Sequence, residues 1–332
     1  MSQRGRIRTM AARLPEGFAF RPPQPDDGEA IVEMMNEESL ALRGATMVSL
    51  DWIANAWTAP GADLEHDFVV VTGPGGEVAG YVFVEAYPPY TEVFSVGSVA
   101  LDHHGRGIGA ALVEEMERRA GRFPPLAPPG ERVVIHAGTL ADEPRVAELL
   151  TAHGYFEARR FAQMSIAFEE PPAPPAAIPG IEIRPLRPGN ERAVYACLSE
   201  AFADHWGGTW PTEEAWRHDH IDASSDFAPE LWHLAWDGTD LAGVLIAEPR
   251  SDDDPALGHV SNIGVRRAYR RRGIGEALLR TSFVQFHERG SAGVVLEVDT
   301  ESLTGAPRLY ERMGMTATPR FSQWEKELRP GG

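Results

Sequence analysis

Cysteine is almost absent: Cys197 is the single one among 332 residues. An internal disulfide is therefore excluded, as is a zinc site of several thiolates, and a reducing cytoplasm is the expected compartment. Long hydrophobic runs are missing too. The longest, such as residues 68–71 and 241–247, are strand-sized, far short of the ~20 residues that span a bilayer, so no membrane partner is expected. The first 16 residues carry arginines without an apolar stretch, the pattern of a flexible tail and not of a secretory leader. Positive charge is scarce: 31 Lys and Arg against 49 Asp and Glu give a net charge of −18. Nucleic acid would need a basic face, so it is not an expected partner. An acidic field serves solubility and also attracts cationic small molecules.

What is present is repetition. FAFRPPQP (18–25) echoes IEIRPLRP (181–188), and HGRGIGAAL (104–112) echoes RRRGIGEAL (270–278). LLTAHGY (149–155) echoes LYERMGM (309–315), and FAQMSI (161–166) echoes FSQWEK (321–326). Four echoes in one order mean two copies of one unit. Between them EEPPAPPAAIPG (169–180) is too rich in proline for helix or sheet and reads as a semi-rigid spacer. The expected layout is a tail at 1–16, a first domain at 17–168, the linker at 169–180 and a second domain at 181–330.

Within the second copy, apolar residues at 193, 194, 197, 198, 201 and 202 mark an amphipathic helix. LWHLAWDG and LAGVLIAEP flank a turn and read as a hairpin. GHVSNIGV is a strand running into the glycine motif, GVVLEVD a further strand, and GAPRLYERMG a short helix closed by Gly314. This mixed order predicts an α/β (α+β) fold with a central mixed sheet flanked by helices in each copy.

Arg270 to Gly275 followed by helical sequence is the arrangement of an anion site, because free amides at a helix start accept a phosphate. A glycine-rich surface turn is the other reading. A dinucleotide fingerprint fits poorly, since Leu278 occupies its third glycine position, and no Gly-Lys-Ser/Thr follows for a P-loop. The run Val265-x4-Arg270-x-x-Gly273-x-Gly275, joined to Asp299, Leu309, Tyr310, Glu311 and Gly314, resembles the acetyl-CoA motif of the GNAT superfamily of N-acetyltransferases. The tandem layout is similar to that of mycothiol synthase and related actinobacterial double-domain acetyltransferases.

The resemblance implies an acetyl-CoA-dependent transfer of acetyl to a small-molecule amine. Ile263, Gly264 and Val265 would then hold the pantetheine, and Arg270, Arg271, Arg272, Gly273, Ile274, Gly275 and Glu276 the pyrophosphate. Val99, Arg106, Gly107, Ile108 and Gly109 would be the matching residues of the first copy. Tyr310 would return a proton to the departing thiolate, where the first copy has Leu150. His259 and Asn262 are the polar residues of the strand before the cradle, and histidine suits a base. Counted back along the repeat they fall on Val93 and Val96, so the first copy is expected to be degenerate. With His104 in place of Arg270, it is also expected to bind CoA more weakly. The acceptor side is expected in residues 201–227, with His205 and Trp206 as contacts and packing against the sheet as the alternative. No metal site is expected, and Cys197 on an apolar stripe reads as a packed thiol. A mycothiol synthase, or an acetyl-CoA sensor without turnover, are the competing functions.

Overall fold

In the computed structural model, which describes residues 13–332 except 142, 208, 209, 303 and 304, the two copies run in parallel element order. The first has β1 (Ala19–Arg21), α1 (Asp27–Arg43), α2 (Leu50–Thr58), β2 (Phe68–Thr72), β3 (Val78–Glu85) and β4 (Glu92–Val99). It continues with α3 (Ile108–Ala120), β5 (Val133–Leu140), α4 (Pro144–Ala152) and β6 (Phe156–Ala167). The second has β7 (Ile181–Pro185), α5 (Glu191–Phe202), α6 (Glu213–Arg217), β8 (His233–Asp237), β9 (Asp240–Glu248) and β10 (Leu257–Val265). It closes with α7 (Ile274–Glu288), β11 (Gly293–Asp299), α8 (Ala306–Arg312) and β12 (Thr316–Arg329).

The strands form one continuous sheet in the order β1-β2-β3-β4-β5-β12-β6-β11-β10-β9-β8-β7. The two copies exchange their last strands. β6, which ends the first copy, pairs antiparallel with β11 of the second, and β12 pairs antiparallel with β5 of the first. β6 and β12 also pair with each other at the centre, where Phe161 and Phe321 stack with ring centroids 4.6 Å apart. Residues 169–180 join the copies without regular structure.

Each half of the sheet buries both faces, which explains its nearly continuous apolar strands such as β9. In the second copy, α7 and α8 cover one face through Ile274, Leu278, Phe283 and Phe286. On the other, α5 and α6 bury Val194, Leu198, Trp216 and Trp232. Cys197 lies in this second layer, 1% exposed, where burial pushes its thiol up to about 12. It is a packed thiol, not a nucleophile.

The feature that positions the site is a wedge in each half. β10 and β11 pair in parallel only over Leu257–His259 with Gly293–Val295 and then diverge. β4 and β5 do the same beyond Ser95 and Ala137. Past the divergence each strand keeps only its outer neighbour, so a cleft opens through the sheet in front of the glycine motif.

Candidate functional site

The loop before α7 reaches the helix through Arg271 at φ 63° and Gly273 at φ 83°, both left-handed. Glycine adopts that region without strain, whereas arginine there is uncommon. No side chain caps the helix start, so the amides of Ile274, Gly275 and Glu276 point out of its N-terminus. The first copy repeats this with Gly105 at φ 73° and Gly107 at φ 87° before α3. Both loops therefore fit a pyrophosphate. Ile263, Gly264 and Val265 lie on β10 beside the cleft, as Val99 does on β4.

The arginines divide differently from the expectation. Arg270 turns inward: its Nε donates to the Val265 carbonyl at 3.1 Å and its Nη2 to the Ala201 carbonyl at 3.0 Å. It also pairs with Asp204 at 3.2 Å. It braces β10 against α5 and is not offered to a phosphate. His104 repeats the brace in the first copy, with Nε2 2.8 Å from the Val99 carbonyl. Arg272 pairs with Asp237 at 3.1 Å, so Arg271 is the exposed unpaired arginine of one loop and Arg106 that of the other. The expected advantage of the second cradle loses its main support.

β10 carries a one-residue bulge. Val260 pairs with Ala247 and Asn262 with Ile246, leaving Ser261 outside the ladder. Its hydroxyl is buried beside the Glu248 carboxylate, whose charged form it favours. β4 has no such bulge. The extra residue also shifts the correspondence between copies. His259 faces Glu248 on β9, and Phe94 faces Glu85 on β3, so the counterpart of His259 is Phe94, not Val93.

His259 lies between two carboxylates, 2.9 Å from Glu248 and 3.0 Å from Glu297. Burial alone would lower its pKa, but the hydrogen bonds and charges of Glu248 and Glu297 outweigh it and hold the imidazolium up to about 10. Held between two carboxylates, the ring favours its imidazolium form over the free imidazole that a general base needs. It holds Glu248 below the usual carboxylate range despite burial. Asn262 Oδ1 lies 3.1 Å from His220 Nε2, as acceptor, and the His220 ring stacks on Trp216 at 5.3 Å. A π-helical turn at His218–Asp222 aims that imidazole.

The clamp extends into the first copy. Glu297 lies 3.6 Å from Arg320 on β12, which also pairs with Asp253. Asp253 accepts in turn from Gln163 on β6 at 2.9 Å and from Arg43 at the end of α1 at 3.2 Å. Strand exchange brings these groups together, and none of their spacings in the chain signals it.

Tyr310 on α8 is 4% exposed and packs in the α7 layer. Burial pushes its phenol pKa upward, so it stays protonated. The two residues expected on the acceptor side, His205 and Trp206, follow α5. Trp206 sits over the first copy, its ring 4.8 Å from His136 of β5, with the Arg159 guanidinium 5.5 Å from it. His205 bonds the Trp206 carbonyl at 3.1 Å. The loop after α5 thus reaches across to the first copy while Asp204, just before these two residues, stays paired with Arg267 and Arg270 of the second cradle. Gly208 and Thr209 of that loop lie outside the described residues. Groups of His, Cys, Asp and Glu suited to a metal are absent among the described residues. Among the same residues no helix is long and apolar enough to cross a membrane.

The first copy holds the larger surprise. A cavity of about 580 Å³ runs from its cradle into its wedge, lined by Val82, Val99, Ile108, Leu112, Leu149 and Leu150. Sequence reasoning, guided by lost polar groups, had no signal for a preformed apolar chamber there.

A family model described as the acetyltransferase (GNAT) family matches residues 195–315. Over 268 residues the chain is 31% identical to a mycothiol acetyltransferase of Geodermatophilus obscurus, covering 78% of this chain and 82% of that one. A mycothiol acetyltransferase of Thermobispora bispora is 30% identical over 253 residues, 73% of this chain and 78% of the relative. A GCN5-related N-acetyltransferase from Sphaerobacter thermophilus superposes with a TM-score of 0.77 at 33% identity, covering 96% and 98% of the two chains. A tandem GNAT protein from the clavulanic acid pathway gives a TM-score of 0.67 at 19% identity over 95% and 100%, which shows a shared fold.

Proposed function

The chain belongs to the GNAT family of acetyltransferases, and from that premise we propose that its second copy carries acetyl from acetyl-CoA to the amine of a small cationic molecule. The carrying observation is the bulge at Ser261. It sits at the mouth of the β10–β11 cleft, in the second copy and not in the first. A bulged residue is released from the ladder, so its backbone can serve a ligand instead of β9.

Acetyl-CoA, when bound, supplies an activated thioester. The amides at the start of α7 and Arg271 would hold its pyrophosphate, with Ile263, Gly264 and Val265 along the pantetheine. Ser261 would face the thioester carbonyl, where a donor stabilises developing negative charge. Tyr310, kept protonated by burial, would give its proton to the departing sulfur. His259 supports the amine by charge. Between Glu248 and Glu297 it cuts the local charge from −2 toward −1, so an incoming ammonium is attracted yet releases its proton to solvent water more readily than beside two bare carboxylates. Asn262, oriented by His220, would accept a hydrogen bond from the amine.

The similarity to mycothiol acetyltransferases makes a mycothiol-type amine the first acceptor to assay. Thiol release from acetyl-CoA is measured with that amine and with a panel of simpler ones. Amine-dependent release is expected, and Tyr310→Phe should lower kcat by about 10²-fold while calorimetry still finds CoA bound. A protein that binds acetyl-CoA and releases no thiol with any amine would be a sensor. Turnover unchanged by Tyr310→Phe would remove the phenol from the reaction.

A further inference from the structure

The cavity of the first copy lies where three side chains are smaller than their counterparts in the second. Gly80 faces Val99 and Gly243 faces Val265, so Val82 corresponds to Leu245. Ala137 faces Trp324 and Leu296 faces Met164. Because FAQMSI echoes FSQWEK, Met164 and Trp324 correspond, and Ala137 stands where the second copy has Leu296. Leu150 stands where it has Tyr310. In the second copy Leu245, Leu296 and Tyr310 are buried together in the α7 layer. In the first, Val82, Ala137 and Leu150 line the cavity of about 580 Å³ instead. Each exchange removes apolar volume, and a close-packed interior refills such a gap only in part.

The chamber is continuous with the first cradle. Gly105, Gly107 and Ile108 line it at one end, and Leu112 and Met116 carry it about 12 Å along α3. Met116, larger than its counterpart Ser282, is the last residue of α3 on its wall.

Three kinds of surface meet along this path. The amides at the start of α3 and the exposed Arg106 suit a pyrophosphate. Past Ser95 the inner edge of β4 has no strand beside it, and Gly97, Ser98 and Val99 there line the cavity. Backbone groups released from a ladder need other partners, and the amides of a pantetheine arm supply them. Beyond that edge Val82, Leu112, Met116, Ala137 and Leu150 present apolar side chains, which suit an alkyl chain.

We propose that the first copy is a binding site for an acyl-CoA whose chain is longer than acetyl, its alkyl end held among Val82, Ala137 and Leu150. Leu150 has no proton to offer a departing thiolate, so the site binds its ligand without turnover. It is separate from the transfer reaction of the second copy and does not depend on it.

The test is calorimetry, without amine, on full-length Gly273→Glu, in which a side chain at a left-handed position blocks the second cradle. Acetyl-, butanoyl- and hexanoyl-CoA are compared. Burying a methylene tightens binding about fourfold, so hexanoyl-CoA should bind at least about tenfold more tightly than acetyl-CoA. Ala137→Leu and, separately, Val82→Leu restore the second copy's side chains in the same background. Each should erase the preference for the longer chain while acetyl-CoA still binds, and circular dichroism melts check that each variant is folded. Adding Gly107→Glu should abolish binding of all three ligands. Affinity that is flat or falls from acetyl to hexanoyl would overturn the proposal, as would a preference that survives both filled variants or Gly107→Glu. Hexanoate without CoA is titrated as well. Its binding, with no response to Gly107→Glu, would make the chamber a fatty-acid site and overturn the acyl-CoA assignment. Amine-dependent thiol release by the parent protein reads the second copy alone, so the two readings fail separately.

Discussion

His259 shows how a residue's role follows from its neighbours rather than its type. Alone on a strand it reads as a base; between Glu248 and Glu297 it is a fixed cation. Its folded pKa of about 10 stands above the ordinary 6.5. The clamp therefore stabilises the fold fully below pH 6.5 and progressively less as pH rises toward 10. Urea midpoints at pH 6 and pH 9.5 should fall further in the parent protein than in His259→Gln, and equal declines would contradict the clamp. Arg270 makes the same point. Because it bonds the Val265 and Ala201 carbonyls, Arg270→Met should cost about 1–3 kcal/mol of stability. Arg271→Ala, at an exposed and unpaired side chain, should instead weaken CoA binding with little change in stability. Calorimetry and denaturant melts on the two variants distinguish a brace from a phosphate ligand.

At the scale of elements, one carboxylate of the loop after β9 gathers three other side chains around it. Asp253 joins α1, β6 and β12 through Arg43, Gln163 and Arg320, and its side chain is only 10% exposed. Removing one partner of a buried ionic cluster leaves the others uncompensated. Asp253→Ala should destabilise the protein by about 3 kcal/mol, and Asp253→Ala with Arg320→Met by less than the sum of the single changes. Additive losses in a double-mutant cycle would show that the contacts are independent. The loop after α5 is the reciprocal element, since its Trp206 rests on β5 of the other copy.

Over the whole molecule, exchange of β6 and β12 makes the copies interdependent. Residues 13–168 alone would leave β5 without β12 and β6 without β11, two long strands with open edges. That half should therefore aggregate or self-associate when made separately. Co-expressed with residues 181–332, it should give a soluble one-to-one complex with the circular dichroism of the intact chain. Two well-folded monomeric halves, judged by gel filtration, would refute the interdependence. The exchange also places Arg43 and Gln163 of the first copy in the charge cluster that reaches His259 of the second.

The repeat, the element order and both glycine cradles were legible in the chain, because periodicity, turn residues and helix starts are local properties. The short helix that carries Tyr310 was legible by the same route, through its closing glycine, whereas Tyr310 itself was marked out by the family resemblance. The tertiary structure alone decided the rest. The exchanged strands depend on pairing free energy between segments far apart in sequence. The bulge at Ser261 leaves no trace in the alternation of GHVSNIGV, yet it moves the counterpart of His259 by one residue. Whether a histidine is base or cation, and whether an arginine meets a phosphate or a carbonyl, depends on charges supplied by other strands. For His259 those charges come from β9 and β11. Electrostatic environment is set by distance in space, which one-dimensional spacing does not contain.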